Sequence, residues 1–143
     1  MISNSSKYAL KAILYLAVNT SEEEKLLAKN LSGLANVPKA YLSKLLQKLV
    51  RHNLISSVRG PHGGFYLTEE NRNVRLIEVI NLIDGIDRLT SCMLSLNKCD
   101  EKYPCPLHES VGDMKTKFIE NLEKTSIQDL VEDIKTGKSF LPL

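Results

Sequence analysis

At 143 residues, 43% of them apolar, the chain is sized for one domain with a packed core, or one domain with an appended helix. No apolar run reaches membrane-spanning length: the longest, 8–18, is broken by Lys11, and no signal-peptide pattern precedes it, so a cytoplasmic protein without membrane contact is expected. The net charge of +2 is unevenly spread, with ten Lys/Arg against five Asp/Glu in residues 1–72 and nine against twelve in residues 73–143, so a polyanion would dock on the first half.

Residues 5–18 predict a helix packed on both sides, with Tyr8, Ala12, Tyr15 and Leu16 on one face and Leu10, Ile13, Leu14 and Ala17 over much of the rest. SEEE at 21–24 is a solvated turn, and 28–35 a short helix carrying Leu31 and Leu34. Pro38 suits the first position of the next helix. Residues 38–52 form the clearest amphipathic helix: Leu42, Leu45, Leu46 and Leu49 make its apolar stripe, while Lys44, Lys48 and Arg51 lie opposite. Two helices joined by a tight turn, the second basic outside, make a helix-turn-helix pattern.

A strand over 54–58, the turn Arg59-Gly60-Pro61-His62-Gly63-Gly64 and a second strand over 65–68 follow, which predicts a hairpin wing. Residues 74–84 predict a helix with Leu76, Val79, Ile80 and Ile83 inward, ended by Gly85. Residues 85–105 have no clear period and read as a long loop. A helix over 106–124 follows, whose Val111, Met114, Phe118 and Leu122 step by 3, 4 and 4, close to a coiled-coil seam. Ser126 and Asp129 resemble a capping box for a last helix at 127–135. The predicted fold is mostly α with a small β-hairpin wing: a winged helix-turn-helix DNA-binding domain at 1–84, a cysteine-containing loop at 85–108, and a dimerisation helix with a C-terminal helix at 109–143.

For a DNA-binding reading, Lys39, Ala40, Tyr41, Ser43 and Lys44 stand at the start of the second helix of the pair. Short side chains there reach base edges in the major groove and lysines reach phosphates. Arg59 at a hairpin tip suits a narrow minor groove, and Gly60, Gly63 and Gly64 would let the backbone approach phosphates. His62 could donate to a phosphate or simply be exposed. Lys48 and Arg51 lie further along and serve equally as a solvated face, and His52 suits the helix C-terminus.

The chain's three cysteines, Cys92, Cys99 and Cys105, follow a C-x6-C-x5-C spacing, and His108 comes three residues later. An odd count in a reducing compartment argues against structural disulfides. Thiolates on one loop fit an iron–sulfur cluster, with His108, or Glu109 or a partner-chain residue, as fourth ligand. Cys3His also fits structural zinc, but no C-x2-C pair is present. A thiol switch needs only two reachable cysteines. No phosphate-binding glycine loop and no catalytic set stands out, so no enzyme is expected. A small electron carrier would also hold a cluster, but would need neither a basic helix nor a wing.

Three stretches resemble one family. KYALKAILYLA matches its first helix, YLSKLLQKLVRHNLISSVRGPHGGF its recognition helix and wing, and LIEVINLIDG the helix before its cysteines. The chain looks like the IscR/NsrR-type winged-helix transcription regulators, the Rrf-two family, through nearly its whole length. The resemblance implies a homodimer on palindromic double-stranded promoter DNA, more often a repressor than an activator. It also implies an iron–sulfur cluster at Cys92, Cys99, Cys105 and His108, with the 2Fe–2S form favoured over 4Fe–4S. Iron status, nitric oxide, peroxide and cysteine supply are all compatible inputs. Three departures stand out. His62 sits where the family usually has glycine, and the first cysteine gap is one residue longer than usual. Lys7 occupies a position that in some members holds an acidic cluster ligand, a role a cation cannot fill.

Overall fold

A computed structural model describes residues 2–94, 97–98 and 100–142. The first helix, α1 (Asn4–Asn19), is the centre of the molecule. Ala9, Ala12, Ile13, Leu16 and Ala17 are buried along it, and the three alanines let neighbours approach closely. It packs against α2 (Ala28–Ala35), α3 (Lys39–Arg51), α5 (Leu76–Asp84) and α8 (Ile127–Lys135). Ser3 starts α1 as its N-cap, its hydroxyl accepting from the Ser6 N–H at 3.1 Å. Thr20 closes it, donating both its N–H and its hydroxyl to the Leu16 carbonyl.

α2 ends at Asn36, which adopts the left-handed conformation (φ 49°) that turns the chain toward α3. Buried Leu31 and Val37 pin this turn. Pro38 is the N-cap of α3 rather than its first helical residue; its carbonyl accepts from Leu42 at 3.0 Å. Leu42, Leu45, Leu46 and Leu49 are buried as the stripe predicts. Each such leucine contributes about 1.5–3 kcal/mol by leaving water.

The hairpin is shorter than its composition suggests. β1 (Ser56–Val58) pairs antiparallel with β2 (Gly64–Tyr66), Ser57 opposite Phe65. Leu54 belongs to the end of α3 instead, since its N–H bonds back to the Leu49 carbonyl. Thr68 leaves β2 to cap α4 (Glu69–Arg72), a turn too short to show a period in the sequence. Buried Asn71 of α4 ties the region together: it accepts from Ser56 and from the Thr68 N–H, and donates to the Asn53 carbonyl. The wing also has a backbone tether the hairpin reading misses. Leu26 donates to the Phe65 carbonyl at 3.1 Å and accepts from the Phe65 N–H at 2.8 Å.

α5 starts at Leu76, two residues later than expected, because 74–75 pair with the α7–α8 connection: Ile127 donates to Val74, and Leu76 to Thr125. Gly85 ends it, as expected. The stretch expected to be an irregular loop begins with a helical turn, α6 (Asp87–Thr90). Leu89, buried with Ile80 and Leu122, anchors that turn between α5 and α7 (His108–Lys124). The Ser126–Asp129 capping box forms, and α8 returns to α1, burying Ile127 and Val131 in the same core as Leu16 and Leu46.

The first and fifth helices are joined by a polar contact. The Ser3 N–H donates to Asp84 Oδ2 at 2.8 Å and its hydroxyl donates to Oδ1. Burial pushes the Asp84 carboxyl up, but the hydrogen bonds from Ser3 outweigh it and hold the group below its usual range. The contact therefore stabilises fully above the free-carboxyl value of about 3.9 and is lost as pH falls through the lower folded value. Asp84→Asn is expected to lower stability at neutral pH, with the gap to wild type closing in acid; denaturant melts across pH measure it. At Gly64 (φ 149°) a Cβ would lie 2.7 Å from the Leu26 carbonyl oxygen. Gly64→Ala is expected to cost at least about 1 kcal/mol and to speed amide exchange at Phe65.

Candidate nucleic-acid interface and cysteine loop

The apolar stripe of α3 fixes what the helix presents outward. With the four leucines inward, Lys39, Ala40, Tyr41, Lys44, Gln47, Lys48 and Arg51 are exposed and Ser43 is half-buried. Among the described residues, no carboxylate forms an ion pair with Lys39, Lys44, Lys48, Arg51 or Arg59. Their charge is available to an anion. Tyr41 differs from the rest of the face. It is 41% exposed, its ring stands edge-on to Tyr8 at 6.2 Å between centroids, and its hydroxyl is hydrogen-bonded to Ser5 of α1.

Between α3 and the wing lies a groove of about 470 Å³. Gln47, Arg51 and Arg59 line it together with the apolar Leu27 and Val58, both more than one-third exposed. Arg59, Gly60, Pro61 and His62 form the exposed tip. Gly63 closes the turn by donating to the Gly60 carbonyl at 3.0 Å. A Cβ on Gly63 would meet the Val58 carbonyl oxygen at 2.2 Å, so the tip requires glycine there. At the base of the wing the Lys25 ammonium sits 5.2 Å from the Tyr66 ring centroid, adding a cation–π contact beside the Leu26 tether.

The cysteine loop leaves α6 and returns to α7. Cys92 and Cys105 are half-buried; the expected ligand Cys99 lies outside the described residues. The Cys92 N–H donates to the Asn97 carbonyl at 2.8 Å, and Ser91 pairs with Lys98 in an isolated antiparallel bridge. Lys115, absent from the sequence reading, fastens this start to α7. Its ammonium donates to the Thr90 carbonyl at 3.0 Å and to that of Ser91. A lone lysine aimed at two carbonyls leaves no trace in a sequence pattern.

His108 opens α7, its N–H bonded to the Cys105 carbonyl at 2.9 Å. Its side chain shares a small recess with Met93, Cys105 and Val111. Nδ1 is buried and, among the described residues, has no hydrogen-bond partner. Protonated, such a nitrogen wants an acceptor; unprotonated, it wants a donor or a metal. Among the described residues, no three His, Cys, Asp or Glu side chains gather within metal-binding reach. The donor set still suits a cluster in kind: two thiols, one each side of Cys99 in sequence, and a buried imidazole nitrogen beside Cys105.

The predicted seam on α7 divides in two. Leu122 is buried against Ile80 and Leu89 of its own chain, and Phe118 packs on the same cluster. Met114 is 70% exposed. Val111, Met114 and Phe118 line an apolar cavity of about 570 Å³ with Leu89, Cys92 and Met93.

The iron-dependent transcriptional regulator family Rrf2 matches residues 2–133. An HTH-type transcriptional regulator of Aquifex aeolicus is 29% identical over 133 residues, covering 92% of this chain and 91% of that protein. The HTH-type transcriptional regulator IscR of Xenorhabdus nematophila is 28% identical over 132 residues, 92% of this chain and 79% of its own. Among solved structures, CymR (YrzC), the global cysteine regulator of B. subtilis, superposes with a TM-score of 0.74 at 23% identity, covering 92% of this chain and 96% of that one. T. potens IscR gives 0.70 at 24%, covering 97% and 91%. These likenesses show the winged-helix fold, and the relatives in sequence are transcriptional regulators, not enzymes. With the match running over residues 2–133, the chain belongs to the Rrf2 family of winged-helix transcription regulators.

Proposed function

We propose that the protein is a homodimeric repressor that binds palindromic promoter DNA from the cytoplasm, with an affinity set by the state of its cysteine loop. Residues 1–84 would read DNA, 85–108 would sense, and 109–143 would pair the protomers. Lys39, Ala40, Ser43 and Lys44 would enter the major groove with Tyr41 beside them. Arg59, Gly60, His62 and Gly63 would meet the minor groove and its phosphates. The exposed basic face of α3 and the glycine tip of the wing support this: Arg51 of the one and Arg59, Gly60 and Gly63 of the other line one groove.

One observation carries the sensing part: the Nδ1 of His108, buried beside Cys105 and without a hydrogen-bond partner among the described residues. Cys92, Cys99 and Cys105 would hold an iron–sulfur cluster, with 2Fe–2S favoured, and His108 would complete the set. When bound, such a cluster supplies an oxidant-labile, redox-active centre with a potential raised by histidine ligation. The chain's own residues do the rest. Lys115 ties the loop to α7, and Leu89 ties α6 to α5, so order in the loop shifts the population of DNA-competent dimers. A second reading, a thiol switch without a cluster, draws support from the half-buried Cys92 and Cys105 and from the fold shared with CymR.

Anaerobic purification with iron and sulfide analysis separates the two readings. Cys92→Ala or Cys105→Ala is expected to abolish or strongly destabilise iron and sulfide binding, and His108→Ala to leave a more labile centre. Wild-type protein without iron or sulfide after anaerobic reconstitution would leave the thiol switch standing. Arg59→Ala is expected to weaken operator binding by about 1–3 kcal/mol with the dimer intact, measured by fluorescence anisotropy at physiological salt; unchanged affinity would remove the wing from the interface. Phe118 packs in its own chain's core, so Met114→Asp is the cleaner test of pairing. Sedimentation should show a folded monomer, and a stable dimer would move the interface off this face.

A further inference from the structure

Between the cysteine loop and the DNA-reading helix the chain places one shared piece, the first turn of α1. On one side, Ser3 is bound to Asp84, the last residue of α5, through both its N–H and its hydroxyl. Asp84 is followed by Gly85 and α6, through which the chain enters the loop at Cys92. On the other side, Ser5 is hydrogen-bonded to the Tyr41 hydroxyl in the first turn of α3. One turn along α1, Tyr8 meets the Tyr41 ring edge-on at an interplanar angle of 82°. Tyr41 is thus held by α1 at two points, its ring and its hydroxyl. Ser3 and Ser5 lie in one capped helical turn, because the Ser3 hydroxyl also accepts from the Ser6 N–H. Both contacts therefore end on the same capped turn.

We infer that Tyr41 is a positioning residue for the recognition helix, and that Asp84–Ser3 and Ser5–Tyr41 form a polar buckle carrying the position of the end of α5 to the start of α3. The residues that would enter the major groove sit in that first stretch of α3, so a small rotation there moves all of them together. Lys115 and Leu89 hold α6 and the loop's start on α7 and α5. A change of order in the loop therefore reaches Asp84 through residues 85–91, where Leu89 is buried and the Ile86 N–H donates to Asn81 Oδ1 of α5 at 2.8 Å. That last step rests on the sensing role proposed above; the buckle itself does not.

A double-mutant cycle on DNA affinity tests it, using a fluorescent duplex that the protein itself selects from a randomised pool. Asp84→Asn and Tyr41→Phe should each weaken binding by roughly two- to tenfold, the worth of one net hydrogen bond. The double variant should bind no worse than the weaker single variant, since both open the same buckle. Strictly multiplying effects would overturn the inference. Ser5→Ala breaks the same bond from the α1 side and leaves Tyr41 itself whole, so it should reproduce Tyr41→Phe. Wild-type affinity in Ser5→Ala would mean that the Tyr41 hydroxyl acts on DNA directly, and the buckle would fail. Should Asp84→Asn not fold, as circular dichroism would reveal, Ser3→Ala takes its place in the cycle. Failure of the sensing role is seen separately, as a wild-type protein whose affinity ignores iron, sulfide and thiol state while the cycle still shows coupling.

Discussion

Everything in this molecule is arranged around the burial of one helix. α1 carries too few polar residues to face water on any broad side. Its alanines let α3, α5 and α8 crowd against it, and Ile13 and Leu16 are wholly enclosed. A leucine-to-alanine truncation in such a core typically costs about 2–5 kcal/mol, a large share of the stability of a domain this size. α3, the helix that leads to the loop and the last helix all meet on this one surface. None can shift without disturbing its packing, which leaves the polar ends of α1 as the place where small adjustments are cheap.

How much of this was legible depended on whether an element buries a long enough stripe. α2 and α8 were legible to their end residues, and α1, α3 and α7 to within about two, because each repeats apolar residues over two turns or more. The Ser126–Asp129 cap was readable for the same local reason. α4 and α6 were not: four residues carry no period, and what makes them helical is a cap at Thr68 and a buried Leu89 between two other helices. The hairpin's strands were drawn too long because Leu54, Ile55 and Leu67 have strand-like side chains yet serve as plugs beneath the wing.

The site divides along the same line. Basic residues opposite a leucine stripe announce an exposed cationic face, and α3 has one. The wing's glycines announced a tight tip, and Gly63 is pressed against Val58 as the tip demands. Long-range partners could not be seen. The Leu26 tether, the Lys115 clamp and the Ser5–Tyr41 bond each join residues more than twenty positions apart through backbone carbonyls or hydroxyls, which have no pattern of their own. Leu122 misled in the opposite sense: its spacing fits the seam, but its side chain is buried against Ile80 and Leu89 of its own chain.

The Leu26–Phe65 backbone pair has a meaning for the duplex. It joins the wing to the segment leading into the first helix of the helix-turn-helix, and the Lys25–Tyr66 contact reinforces it. With α3 and the wing reading DNA as proposed, the two elements would behave as the fixed jaws of a calliper. A hairpin on a slack hinge could follow whatever groove width it met. A rigid one cannot, so the adjustment falls to the DNA, at an elastic cost that depends on its base steps. Sequence preference would then extend to base pairs between the two contact points that no side chain touches.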